Sequence, residues 1–130
     1  MNSLKAASIS KTYSIDGHNI EVLRNLNLLI NKGDTVAISG QSGSGKSTLL
    51  QILALLDKQS SGTVELNGKA VGHLSANKKS QIRLNNFGFV YQHHHLLEDL
   101  TVYENIALPL QLKGDLVNLD TKVRDLAKSI

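Results

Sequence analysis

From position 40 the chain runs Gly40-Gln41-Ser42-Gly43-Ser44-Gly45-Lys46-Ser47-Thr48. The spacing is G-x-x-x-x-G-K-[S/T], which calls for a loop that grips phosphate. Triphosphate oxygens need many donors at short range. Successive backbone N–H groups of a curled loop supply them, and glycine lets the loop curl and approach. Lys46 adds a point charge for the β and γ phosphates, and Ser47 offers a hydroxyl to Mg²⁺. A helix beginning here would turn its free N–H groups and positive dipole end toward the anion. The competing reading is a merely flexible Gly/Ser loop.

The neighbouring sequence supports the first reading. Upstream, Thr35 to Ser39 (Thr-Val-Ala-Ile-Ser) is short and β-branched, which predicts a buried strand. Downstream, Lys46 to Asp57 carries Leu49, Leu50, Ile52, Leu53, Leu55 and Leu56, and predicts a helix buried on nearly every side. Further out, Leu4–Ser14 and Ile20–Ile30 predict two strands around an Asp16-Gly17 turn. Thr63–Leu66 predicts a short strand before Asn67-Gly68. Ser75–Asn85 predicts an exposed helix with Ser75 as its cap. Phe87–Tyr91 predicts a strand ending at Gln92, and His93–Asp99 a polar connection. Val102–Leu112 predicts a helix bent or ended near Pro109, and Leu116–Ile130 a last helix.

Composition narrows the class. The 130 residues are 41% hydrophobic and 19% charged, so the chain is expected to fold rather than stay disordered. Three Tyr, two Phe and no Trp make any core aliphatic. The formal charge of +3 comes from scattered residues, which argues against a nucleic-acid-binding arm. No apolar run approaches the roughly 20 residues of a membrane span, and Met1–Thr12 has no continuous apolar segment, so no secretory signal is expected. With no cysteine, thiolate zinc sites, disulfides and cysteine nucleophiles are excluded. His93-His94-His95 invites a metal reading. In an extended segment at most two of the three share a side, and no ligand cluster joins them, so a solvated loop is favoured.

The 40–48 loop, Phe89-Val90-Tyr91-Gln92 and Leu100-Thr101-Val102-Tyr103-Glu104-Asn105-Ile106 together resemble the N-terminal half of an ABC-transporter ATP-binding subunit. Within that family, Tyr91-Gln92-His93-His94-His95-Leu96-Leu97 followed by Glu104-Asn105-Ile106-Ala107-Leu108-Pro109-Leu110 is most similar to the lipoprotein-releasing (Lol-type) branch, with macrolide exporters close by. The resemblance implies an α/β P-loop NTPase fold, truncated, with an antiparallel β part at the N-terminus and the start of a helical subdomain at the C-terminus. It divides the chain into core residues 1–92 and subdomain residues 93–130. It implies ATP and Mg²⁺ as ligands, held by Gly40, Gln41, Ser42, Gly43, Ser44, Gly45, Lys46, Ser47 and Thr48. Tyr13 would stack on adenine, a ring face being a suitable platform for a flat base; packing in a small core is the alternative for that residue. Val22 would lie beside the base. Lys46 and Gln92 would be the catalytic residues, and Ser47 and Gln92 would face the metal. Residues after Gln92 would dock on an integral-membrane subunit at the cytoplasmic face of the membrane, and a second ATP-binding subunit would complete the assembly. Nucleic acid is not an expected partner.

Four positions depart from the family pattern: Ala54 and Leu55 replace frequent glycines, and Gln59 and Glu98 frequent prolines. More is absent than altered. No Leu-Ser-Gly-Gly signature occurs, nor a strand ending in the Asp and Glu that hold Mg²⁺ and activate water, nor a histidine placed as the switch. The expectation is therefore a truncated subunit of marginal stability, prone to associate through unpaired sheet edges. Two functions follow. One is the ATP-gripping part of a transport ATPase driving export or lipoprotein release. The alternative is a non-catalytic nucleotide-binding or interaction fragment.

Overall fold

In the computed structural model of the chain, Asp16 and Gly17 adopt φ of 50° and 78°, the left-handed pair that a two-residue primed hairpin turn requires. They join β1 (Ser3–Ile15) to β2 (His18–Asn31). Asn67 and Gly68, with φ of 54° and 76°, repeat the device between β3 (Ser61–Leu66) and β4 (Lys69–Ala70). The four strands form one antiparallel sheet in the order β2-β1-β3-β4. The structure describes residues 3–92 and 95–129; expectations resting on His93, His94 or Ile130 lie outside them. Contacts divide the chain into two compact units, one ending at Ser80 and one beginning at Gln81.

Bulges decide which side chains of the first hairpin face inward. Leu4 and Ala6 lie on the inner face of β1, and strict alternation would next bury Ser8 and Ser10. Instead the register shifts between Ala6 and Ile9, where Ser8 has φ of 52°, and the buried residues become Ile9 and Lys11. An extra residue in a strand reverses its inward phase in this way. On β2 the register shifts twice more, once past Asn25 (φ 45°) and once between the pairs Lys11–Leu23 and Thr12–Glu21. Val22 occupies that second bulge.

Helix α1 (Lys46–Leu53) is shorter than expected and buries one face only. Leu49, Ile52 and Leu53 are buried, whereas Leu50 and Leu56 are exposed. The end of α1 is set by backbone geometry. Leu55 turns left-handed (φ 60°). Its N–H donates to Ile52 O at 3.0 Å, and the Leu56 N–H donates to Gln51 O at 2.8 Å. This pair of bonds is the Schellman arrangement, which usually places glycine where Leu55 stands. Leu55 is 3% exposed, so its side chain is held in the core of this unit with Ile9, Ile52 and Val64.

The segment leaving α1 is tied back to β1. Lys11 Nζ donates to Asp57 Oδ1 at 2.8 Å and to Lys58 O at 2.7 Å. The Ser60 N–H donates to Ser10 O, and the Thr12 N–H to Ser60 Oγ. Burial by itself pushes the Asp57 carboxyl up. Hydrogen bonds from Lys11, Tyr13 and the Lys58 N–H outweigh it and hold the carboxyl below the ordinary carboxylate range.

Two expected strands are absent. Residues 34–41 and 87–91 carry no strand among the described residues. Both edges of β1 are taken by β2 and β3, and neither segment pairs with a neighbour, without which an extended run is not a strand. Apolar side chains meant for a buried sheet are exposed instead: Val36 at 44% and Val90 at 103%. In the second unit, Phe87, Phe89 and Tyr91 stack along one side of the extended segment, with ring centroids 6.2 and 5.8 Å apart.

Helix α2 (Ala76–Asn86) crosses the unit boundary and buries no residue. Helix α3 (Val102–Leu112) opens with a reciprocal capping box that sequence reading did not single out. The Glu104 N–H donates to Thr101 Oγ1, while the Thr101 N–H and hydroxyl both donate to Glu104 Oε2. Those bonds hold the Glu104 carboxyl below its ordinary range. Pro109 lies inside α3 without ending it. The Asn105 amide staples the preceding loop, accepting from the Leu97 N–H and donating to the Leu97, Leu100 and Thr101 carbonyls. Helix α4 (Leu119–Lys128) starts three residues later than expected, behind a left-handed Asn118, and packs on α3 with Val123 buried.

Two outcomes are expected. Leu55→Gly relieves a left-handed backbone but empties a buried site; about 2–5 kcal/mol lost against about 1–2 regained spans about 0–4 kcal/mol and centres on a net destabilisation of about 2 kcal/mol, measurable by urea unfolding. Because the native Asp57 carboxyl titrates below its unfolded value, its contribution is complete above the ordinary carboxylate pKa and is lost as pH falls through the native one. The melting-temperature gap between the unaltered chain and Asp57→Asn should therefore close on acidification below about pH 4.

Candidate phosphate-binding site

The first turn of α1 presents backbone amides that nothing in the helix accepts. The first intrahelical bond runs from the Leu49 N–H to Gly45 O at 2.9 Å, so the amides of Lys46, Ser47 and Thr48 precede it. The residue before the helix, Gly45, is left-handed (φ 89°, ψ 5°), and no side chain caps the helix. These donors are thus free for an external acceptor, and the dipole end favours a negative one.

Gly45 is required by its surroundings. A Cβ there would lie 2.9 Å from Leu23 Cδ2 and 2.9 Å from Val22 O. The loop therefore rests directly on the bulged part of β2. The preceding turn is closed by the Ser44 N–H donating to Gln41 O at 3.2 Å. Lys46 folds back across the opening of the loop, where Nζ donates to Gly40 O at 2.8 Å and Gln41 O at 2.6 Å. An ammonium has three donors, so one remains for a ligand at the same place. Val22 and residues 42, 43 and 45–48 line an open depression of about 470 Å³, within the usual 300–1,000 Å³ of small-molecule sites.

The donor set suits a nucleotide phosphate. It combines one fixed ammonium, several converging N–H groups and the Ser47 hydroxyl at the start of the helix, where a metal bound to the phosphates could take it as a ligand. Anionic side chains are absent from the lining. The structure thus brings together Val22, Ser42, Gly43 and residues 45–48, while Gly40, Gln41 and Ser44 are not in the lining. Tyr13 is not part of the lining. It is half-buried on β1, its hydroxyl donating to Asp57 Oδ2 at 2.8 Å and one ring face covered by Lys11 Nζ, 4.6 Å from the centroid. Gln92 belongs to the other unit, exposed at the end of the 87–91 segment. Among the described residues no His, Asp and Glu cluster could hold a metal ion unaided, and no helix is long and apolar enough to cross a membrane.

Lys11 and Asp57 were missed by sequence reading. A signal for Lys11 existed, since it lies two residues before Tyr13 on the same face of a strand and so interrupts the inner apolar row. Asp57, 44 residues from Tyr13, had none.

Comparison with known proteins shows the family. The family described as ABC transporter matches residues 23–130. The lipoprotein-releasing system ATP-binding protein LolD of Wigglesworthia glossinidia brevipalpis is 46% identical over 106 residues, which are 82% of this chain and 46% of that protein. The macrolide export ATP-binding/permease protein MacB of Pectobacterium atrosepticum is 44% identical over 85% of this chain and 17% of its own length. The chain spans about half the length of the LolD relatives it matches. A dimeric structure of the ATP-binding cassette MJ0796, in a post-hydrolysis state bound to ADP and Pi, superposes with a TM-score of 0.80 at 40% identity, covering 85% of this chain and 47% of that one. The antiparallel sheet and the helices are accordingly part of an α/β P-loop NTPase fold of the cassette type. With a glycine-cradled phosphate loop on the page and the family matched over all but its first 22 residues, the chain belongs to the ABC transporter family.

Proposed function

We propose that the chain grips Mg–ATP through residues 40–48 as the nucleotide-holding part of an ABC transporter's ATP-binding subunit. The observation that carries this reading is the set of uncapped α1 amides beside Lys46, on a loop whose Gly45 has no room for a Cβ. In this reading Gly40, Gln41, Ser42, Gly43, Ser44 and Gly45 curl around the phosphates, Lys46 gives them the donor that the Gly40 and Gln41 carbonyls leave over, and Ser47 holds Mg²⁺. Tyr13 takes the adenine, with Val22 beside it. Gln92 reaches the metal and the attacking water once the nucleotide is bound.

Residues 1–92 are assigned to the nucleotide-binding core and 93–130 to the start of the helical subdomain. Exposed Leu96, Leu97, Leu112, Leu116 and Val117 in the latter suit a protein partner, which we assign as an integral-membrane subunit on the cytoplasmic face of the membrane. The dimeric cassette neighbours support a second ATP-binding subunit. The names of the LolD and MacB relatives support lipoprotein release or export as the work driven. The activity proposed for these residues themselves is binding. The Leu-Ser-Gly-Gly signature, and a strand ending in the Asp and Glu by which such enzymes hold the metal and activate water, do not occur in the 130 residues.

Lys46→Ala should reduce Mg–ATP affinity at least about a hundredfold, the loss of a charged partner from a converging site, by equilibrium dialysis of the folded variant. Affinity unchanged in that variant would remove the proposal.

A further inference from the structure

Lys11 is a cation at 9% exposure on the inner face of a strand, beside Ile9 and Leu23. Burying a charge is unfavourable unless it is paired. Here it is paired with the Asp57 carboxylate and the Lys58 carbonyl. Such pairs seldom improve stability over well-packed apolar residues of the same volume, so packing alone gives Lys11 no advantage over a methionine.

Its position against Tyr13 gives it one. The ammonium sits over one face of the ring, and Asp57 holds the hydroxyl at the ring's tip. Face and tip are fixed by two ends of one ion pair, since Asp57 uses Oδ1 for Lys11 and Oδ2 for Tyr13. The ring is only half-buried, which leaves surface for a ligand away from the ammonium. Asp57 is itself registered to α1, because the Leu56 and Asp57 N–H groups both donate to Gln51 O, at 2.8 and 3.1 Å. The helix that begins at the phosphate loop therefore ends at the group that holds the Tyr13 ring.

We propose that Lys11 and Asp57 are positioning residues that hold Tyr13 as a one-sided platform for the base of a nucleoside triphosphate whose phosphates lie in the 40–48 loop. This rests on the nucleotide reading above. An ordered ring loses less freedom when a base stacks on it, so affinity for the base is gained without further contacts. The cation held at the covered face keeps the base to the other one.

The test separates base from phosphate. Equilibrium binding of Mg–ATP and of Mg–tripolyphosphate is measured on the 130-residue chain, with Lys11→Met, Lys11→Arg, Tyr13→Phe and Tyr13→Ala. The unaltered chain should prefer ATP, and Tyr13→Ala should remove most of that preference. Lys11→Met, which keeps the aliphatic stem, should weaken ATP about five- to tenfold and leave tripolyphosphate within about twofold. Tyr13→Phe should fall between the two, and Lys11→Arg should restore most of the ATP preference. ATP affinity unchanged in Lys11→Met overturns the proposal, and so does an equal loss for both ligands, which is the mark of a purely structural role. If the unaltered chain binds tripolyphosphate as tightly as ATP, there is no platform. If it binds neither, the nucleotide reading fails and the platform with it.

Discussion

Between Gly45 and the bulged part of β2 there is no space for one further carbon, and much of the first unit follows from that contact. An added Cβ would meet Val22 O and Leu23 Cδ2, both at 2.9 Å. The contact lets the loop lie on the strand and restricts position 45 to glycine, which also adopts the left-handed conformation found where α1 begins. A left-handed residue without a side-chain cap leaves the first-turn amides open. The strand must bulge there as well, since a regular ladder would give Val22 a partner and turn it to the other face. Site and scaffold are thus coupled through main-chain geometry rather than through any single strong bond.

The far end of α1 shows the same economy under a different compromise. A glycine at position 55 would take the left-handed turn without strain. This chain places Leu55 in the turn and offsets the strain by burying the side chain. Gln59 is also buried, and its Nε2 donates to Gly62 O at 3.3 Å. Both residues lie beyond the end of α1 and neither lines the depression at its start.

How far the sequence could be read depended on how local the physics was. The 40–48 motif, both Asx-Gly hairpin turns and the start of α1 follow from φ preferences and spacing within a few residues, and the structure contains them. Thr35–Ser39 and Phe87–Tyr91 have strand composition, but strand formation needs neighbours, and none is present among the described residues. The bulge at Ser8, which places Lys11 and not Ser10 inside, leaves no trace in a period-2 pattern. The part of Asp57 in the Lys11–Asp57–Tyr13 cluster was invisible because the end of α1 brings it in from 44 positions beyond Tyr13 and 46 beyond Lys11.

The claim that main-chain donors at the start of α1 receive the phosphates has a direct measurement: amide hydrogen exchange of the unaltered chain with and without saturating Mg–ATP. Slowed exchange at Lys46, Ser47 and Thr48, with the 87–91 segment unchanged, is the expected result. Exchange at those three amides that stays the same when nucleotide is bound would contradict the account.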